Sequence, residues 1–169
     1  MIKRTLMAAI VCMWSGAGRA DWTTKVEGPD VFGNTKVHAI AASNINESLV
    51  IQCDQKDDLH IALLFRKKEF DKLPTVPAEL LVQADNGQPV KLSAVLRTWN
   101  DNYGGIVAEG SSAELVAILR TIALARGKIN LGAVVNGNQI CASFGSQGSR
   151  AAMEKAIKSC KLEELEKKA

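Results

Sequence analysis

The feature that most constrains this chain is a succession of short alternating or apolar runs in its first two thirds. They are Lys36–Ala42, Leu49–Cys53, Asp58–Phe65, Leu80–Ala84, Val90–Trp99 and Gly105–Ala108. Each has the length and the two-residue period of a strand rather than the 3.6-residue period of a helix. Turn-forming residues separate them: Ser43-Asn44, the segment 54–57, Asp85-Asn86-Gly87 and Asn100-Asp101-Asn102. Asn86-Gly87 is a strong hairpin signal, because both residues accept the positive φ of a tight turn.

The last third adds two helices and a second hairpin. A helix is predicted from Ser112 to Ala125: Ser111 and Glu114 have capping-box spacing, and Leu115, Ile118, Leu119 and Ile122 form one apolar stripe. Strands Lys128–Val135 and Gln139–Phe144 flank the turn Asn136-Gly137-Asn138. A final helix is predicted to start near Ser149 or Arg150 behind a serine cap, with Met153, Ile157 and Cys160 on one face. Beyond it, "KLEELEKKA" reads as a charged helical tail over 161–169 that projects into solvent. The expected fold is α+β: an antiparallel sheet of about six to eight strands, with two helices packed on one face, in a single domain over 21–160. Aromatic residues make up only 5% of the chain, so the core has to be built from aliphatic side chains.

Residues 1–20 have the layout of a secretory signal peptide. Lys3 and Arg4 form a basic start, Thr5 to Trp14 an apolar run too short to span a bilayer, and Gly18-Arg19-Ala20 a small-residue cleavage site. The mature chain is therefore expected in the periplasm, with no stable membrane insertion. The precursor holds 21 Lys and Arg against 18 Asp and Glu. The leader takes Lys3, Arg4 and Arg19 and no acid, so the mature charges balance. That removes the electrostatic case for a nucleic-acid partner. The densest interior cations, Arg66-Lys67-Lys68, precede Glu69 and Asp71 and read as a solvated turn.

Cleavage leaves Cys53, Cys141 and Cys160 in an oxidising compartment. Cys53 shares a strand face with Leu49 and Ile51, and Cys160 shares the apolar stripe of the last helix, so both point into the same layer. A Cys53–Cys160 disulfide is the predicted pairing. Cys141 lies on the opposite face from Ile140, Ala142 and Phe144, and is expected to be a buried inert thiol or else a handle for another chain.

No catalytic or cofactor-binding pattern emerges. Gly145-Ser146-Gln147-Gly148-Ser149 has the glycines of a phosphate turn, but neither the Lys nor the spacing of a nucleotide-binding motif, and it reads as a structural hinge. His38 and His60 have no second His at ligand spacing and are expected at the surface, so no metal site is predicted. Asp57-Asp58 and Glu163-Glu164 are adjacent pairs that point apart, unlike the facing carboxylates of acid–base catalysis. The chain is expected not to be an enzyme. The candidate binding surface is the loop 99–105, "WNDNYGG", in which Trp99 and Tyr103 offer aromatic contact area among polar residues.

Several short motifs together resemble a known group. They are the spacing Phe144, Gly148, Ala152, Cys160; the apolar strand ending in Cys53; "VQADNGQPV" followed by Trp99; and an early tryptophan, Trp22. On these residues the chain is similar to the small periplasmic proteins associated with type VI secretion clusters and related envelope proteins. The resemblance implies a non-enzymatic accessory protein that binds an envelope protein partner, with no cofactor and no catalytic residues to carry over. The small size and oxidising compartment also fit a second class, a periplasmic inhibitor or immunity protein directed at a lytic enzyme or phage factor.

Overall fold

The computed structural model describes residues 21–54, 59–68, 72–110 and 113–166. Strands β1 (Thr23–Glu27), β2 (Lys36–Ala42), β3 (Glu47–Cys53) and β4 (Leu59–Arg66) form an antiparallel meander. The chain then passes over to β5 (Val76–Ala84), and β6 (Val90–Thr98) and β7 (Tyr103–Gly110) return until β7 pairs with β4. Helix α1 (Ala113–Leu124) leads to β8 (Lys128–Val135), which pairs with the free side of β5, and β9 (Asn138–Gly145) completes the sheet. The strand order is β1-β2-β3-β4-β7-β6-β5-β8-β9. Helix α2 (Ser149–Ser159) and a short turn of helix, α3 (Glu163–Glu166), follow.

The sheet thus has nine strands, beyond the expected six to eight, and it curls into a half-barrel. The additional strand is β1, whose sequence TTKVE carries a single strongly apolar residue, Val26. An edge strand with one exposed side gives little hydrophobic alternation to read. β5 also begins earlier than expected and includes Pro77, which falls before its pairing with β8 starts at Ala78. A residue lacking its N–H is tolerated where only one neighbour is present.

One core fills the concave side. Alternate residues Leu49 and Ile51 of β3, Ile61 and Leu63 of β4, Leu80 and Val82 of β5 and Ile129 and Leu131 of β8 pack with Leu115, Val116, Ile118, Leu119 and Ile122 of α1. Met153, Ala156 and Ile157 of α2 join them. Among the described residues Phe144 is the one fully buried aromatic side chain, so the core is aliphatic as the composition requires. Cys53 at the end of β3 is bonded to Cys160 at the end of α2, with Cα atoms 6.5 Å apart across 107 residues of sequence. Such a closure is worth about 4–5 kcal/mol in the chain-entropy view.

Local devices set the element ends. Helix α2 starts at Ser149, yet no side chain caps it: Gly148, at φ 85°, occupies the N-cap position, so the predicted serine cap is replaced by a glycine in the left-handed region. At its other end Lys161 takes φ 54°, its N–H donates to the Lys158 carbonyl, and the Leu162 N–H donates to the Ile157 carbonyl. This pair of bonds is the Schellman arrangement. It turns Leu162 inward, where it is completely buried. The packed body therefore continues past Cys160, and the tail does not leave for solvent at Lys161.

Asp85, in the β5–β6 turn, ties down the α1–β8 connection. Its carboxylate accepts N–H bonds from Arg126, Gly127 and Lys128 at 2.9, 2.7 and 3.1 Å. The Arg126 N–H bond is the largest cause of its pKa lying below the ordinary aspartate value.

Candidate functional site

Three surface features are built on this frame. The first is the turn joining β6 to β7, where the sequence placed its binding loop. The Asn100 side chain accepts N–H bonds from Asn102 and Tyr103 at 2.9 and 3.0 Å, and the Trp99 N–H donates to the Tyr103 carbonyl at 2.9 Å. The polar residues therefore hold the turn together. Trp99 and Tyr103 are brought together and are half-buried, packing on a second apolar cluster of Val50, Ala62, Leu64 and Val107. These four alternate with the core-facing residues of β3, β4 and β7 and so lie on the convex side of the sheet; Val50, Ala62 and Val107 stand directly opposite one another.

The glycines of the same motif are strand residues with packing roles. A Cβ on Gly105 would lie 2.7 Å from Leu64 Cδ2, and one on Gly104 would lie 2.8 Å from Phe65 Cε2. Both positions need the missing side chain for close approach, not for loop freedom.

Polar groups that the sequence did not connect support Trp99. Arg97 donates from Nη2 to Glu109 Oε2 at 2.7 Å, and His60 Nε2 lies 3.4 Å from the same oxygen. The His60 and Trp99 rings meet edge to face at 6.2 Å, and the Arg97 guanidinium lies 6.0 Å from the Trp99 ring centre. His60 is not the surface residue expected: its side chain is only 12% exposed. His60 and Glu109 are register partners, and Arg97, which stands opposite Gly105, reaches Glu109 with its long side chain; no local motif encodes either contact.

The second feature borders that turn. Asn46, Arg66, Lys67 and Lys68 line an open depression of about 470 Å³. The Arg66 N–H donates to the Asn46 carbonyl at 2.8 Å and the Lys67 N–H to the Asn102 carbonyl at 3.1 Å. The backbone of the basic run is therefore pinned between two turns, while the Arg66 and Lys68 side chains are exposed, as expected of a solvated segment.

The third feature is the β1–β2 loop, "GPDVFGNT", which the sequence reading passed over. Val31 is 93% and Phe32 85% exposed. Asp30 braces the loop: its carboxylate accepts the N–H groups of Phe32 and Asn34 at 2.8 Å each and the Asn34 side-chain amide at 3.2 Å. The Asn34 bond is the first cause of a lowered Asp30 pKa. Gly33 makes the turn at φ 80°, where an L side chain is strained. Two adjacent apolar residues inside a run of turn formers were the signal available in the sequence.

The remaining sequence candidates have structural roles. The turn after β9 presents carbonyls, not N–H groups, to its neighbour: Trp22 donates from Nε1 to the Gly145 carbonyl at 3.1 Å and from its backbone N–H to the Gln147 carbonyl at 3.3 Å. It is a hinge that also ties the two ends of the sheet together. Cys141 is exposed and disulfide-bonded, so it is neither buried nor a free thiol. Asp57 and Asp58, the Ser111 cap and the leader 1–20 lie outside the described residues. No helix among the described residues is long and apolar enough to cross a membrane. No protein family, curated protein or solved structure matches the chain.

Proposed function

We propose that this chain is a secreted, non-enzymatic binding protein of the bacterial envelope, working in the periplasm beside secretion machinery, and that the Val31–Phe32 tip meets its protein partner. The observation that carries this reading is the outward presentation of two large apolar side chains on a loop braced by Asp30. Exposed adjacent Val and Phe side chains leave apolar surface in water, and each gains roughly 1.5–3 kcal/mol when buried. Because the loop is already ordered, little conformational entropy is lost when a partner covers it. The Cys53–Cys160 bond supports an oxidising compartment. The residues behind the resemblance to the type VI secretion-associated proteins sit at structural positions: Phe144 and Ala152 are buried, Gly148 starts α2 and Trp22 ties the sheet ends.

The inhibitor reading draws on the same loop, since a braced protruding tip is also how a blocking segment is presented to an enzyme. A photo-crosslinking side chain at position 32, in protein exported to the periplasm of its own host, separates the two. A secretion component as the cross-linked product supports the accessory reading, and a lytic enzyme or phage factor supports the inhibitor. Absence of any specific product from position 32, with a product from position 103, would move the site to the aromatic turn.

A further inference from the structure

We infer that the depression lined by Asn46, Arg66, Lys67 and Lys68 is a binding site for a phosphate group. This surface is distinct from the Val31–Phe32 tip, and the inference does not rest on the function proposed for that tip.

Strand geometry assembles the site. Arg66 closes β4 opposite Tyr103 of β7, and Asn46 lies in the turn that opens β3. Three successive residues of an extended segment would ordinarily alternate sides. Here all three cations border one concavity, held by the Arg66 bond to Asn46 on one flank and the Lys67 bond to Asn102 on the other. Trp99 and Tyr103 stand on that second flank, packed on the convex cluster. Among the described residues, the acids next to Asn46 and Asn102 in sequence are Glu47, whose carboxylate accepts from Ser43 Oγ at 3.3 Å and Asn44 Nδ2 at 3.1 Å, and Asp101, in the exposed turn. Glu69 and Asp71 lie outside the described residues.

The chemistry of the donors selects the ligand. A guanidinium offers a fork of N–H donors that matches two phosphate oxygens, the two ammonium groups supply point charges, and the Asn46 amide adds a neutral donor. A phosphate brings up to two negative charges and three strong acceptor oxygens to such a set. A single carboxylate would use only the fork. With no backbone nest and open walls, binding here is salt-sensitive. Ile45, next to Asn46 in the same turn, is 80% exposed and adds an apolar side chain to this surface. That fits a lipid headgroup at a membrane surface, and a soluble phosphoester is the other source of the same chemistry.

The test uses the mature chain with two probes at low ionic strength. One is pyrophosphate, followed by NMR shifts of residues 46 and 66–68. The other is co-sedimentation with phosphatidylglycerol-containing vesicles against pure phosphatidylcholine vesicles. Binding of either phosphate-bearing probe is expected, with Lys67→Glu plus Lys68→Glu weakening it by about tenfold or more. Arg66→Lys, which keeps the charge and loses the fork, should weaken it several-fold. Arg66 and Lys68 are exposed, so the thermal midpoint of the Arg66→Lys variant should hold. Vesicle binding without pyrophosphate binding assigns a lipid headgroup, and the reverse assigns a soluble phosphoester. Three outcomes overturn the inference: neither probe binds, the charge-reversed variant binds as the parent does, or a Glu-rich peptide binds as tightly as pyrophosphate.

Discussion

The β1–β2 loop and the β6–β7 turn use similar ingredients to opposite effect. The first contains one aromatic residue and the second two, and each is braced by one Asx side chain that accepts two backbone N–H groups: Asp30 from Phe32 and Asn34, and Asn100 from Asn102 and Tyr103. In the first the aromatic ring stands in water. In the second Trp99 and Tyr103 fold down onto Val50, Ala62, Leu64 and Val107. What differs is the surface beneath. The central strands β3, β4 and β7 carry apolar residues on both faces, so a turn beside them finds something to cover, whereas the β1–β2 loop springs from an edge strand with no such patch. Aromatic composition therefore does not locate a binding surface; the neighbouring strand face decides.

This contrast can be broken or sharpened by experiment, starting with the largest effect. Replacing Cys53 and Cys160 by Ala should lower stability by about 4–5 kcal/mol in denaturant titrations, with local brace signals in both loops retained in the remaining folded state. Loss of those signals while the core stays folded would show that the staple, not Asp30 or Asn100, orders the loops. Trp99→Ala should cost about 2–3 kcal/mol by uncovering the convex cluster and withdrawing the ring from Arg97 and His60. Gly105→Ala should cost about 1–3 kcal/mol, because the added methyl meets Leu64. If either substitution leaves the thermal midpoint unchanged, the aromatic turn is not the packed element described. Phe32→Ala, by contrast, should shift stability by no more than about 0.5 kcal/mol.

Acid separates the two braces. The Asp30 pKa is lowered in the folded chain, first by the Asn34 N–H bond and also by that from Phe32. Its brace is therefore fully present above the ordinary aspartate value of 3.8 and is lost as pH falls through the lower folded value. Asn100 does not titrate. NMR shifts of the Phe32 and Asn34 amides should move in that acidic window while those of Asn102 and Tyr103 stay flat. Matched movement of all four would mean that the loops respond to global unfolding.

Much of the frame was legible from residue pattern. The alternation of β2 and β8, the α1 stripe and the shared layer of Cys53 and Cys160 are local consequences of period and facing. What escaped lies where backbone geometry does the work. Lys161 ends α2 in a left-handed conformation usually marked by glycine, so the inward return of Leu162 had no signal. β1 is held by its ladder and by the Trp22 tie, with only Val26 to announce it. The site was less legible than the fold. Trp99 and Tyr103 were seen as aromatic, but their burial depends on Val50, Ala62, Leu64 and Val107 standing on the convex face. The cations of Arg66–Lys68 were seen as charge, and their convergence on one depression depends on Asn46 and Asn102 pinning the chain.

The most direct test of the central claim is a paired measurement on the Val31→Ser, Phe32→Ser double variant: its thermal midpoint, and its recovery of the partner cross-linked by the parent protein. An unchanged midpoint with loss of the complex is the predicted result. A complex that survives the double substitution would contradict the assignment of this tip as the binding surface.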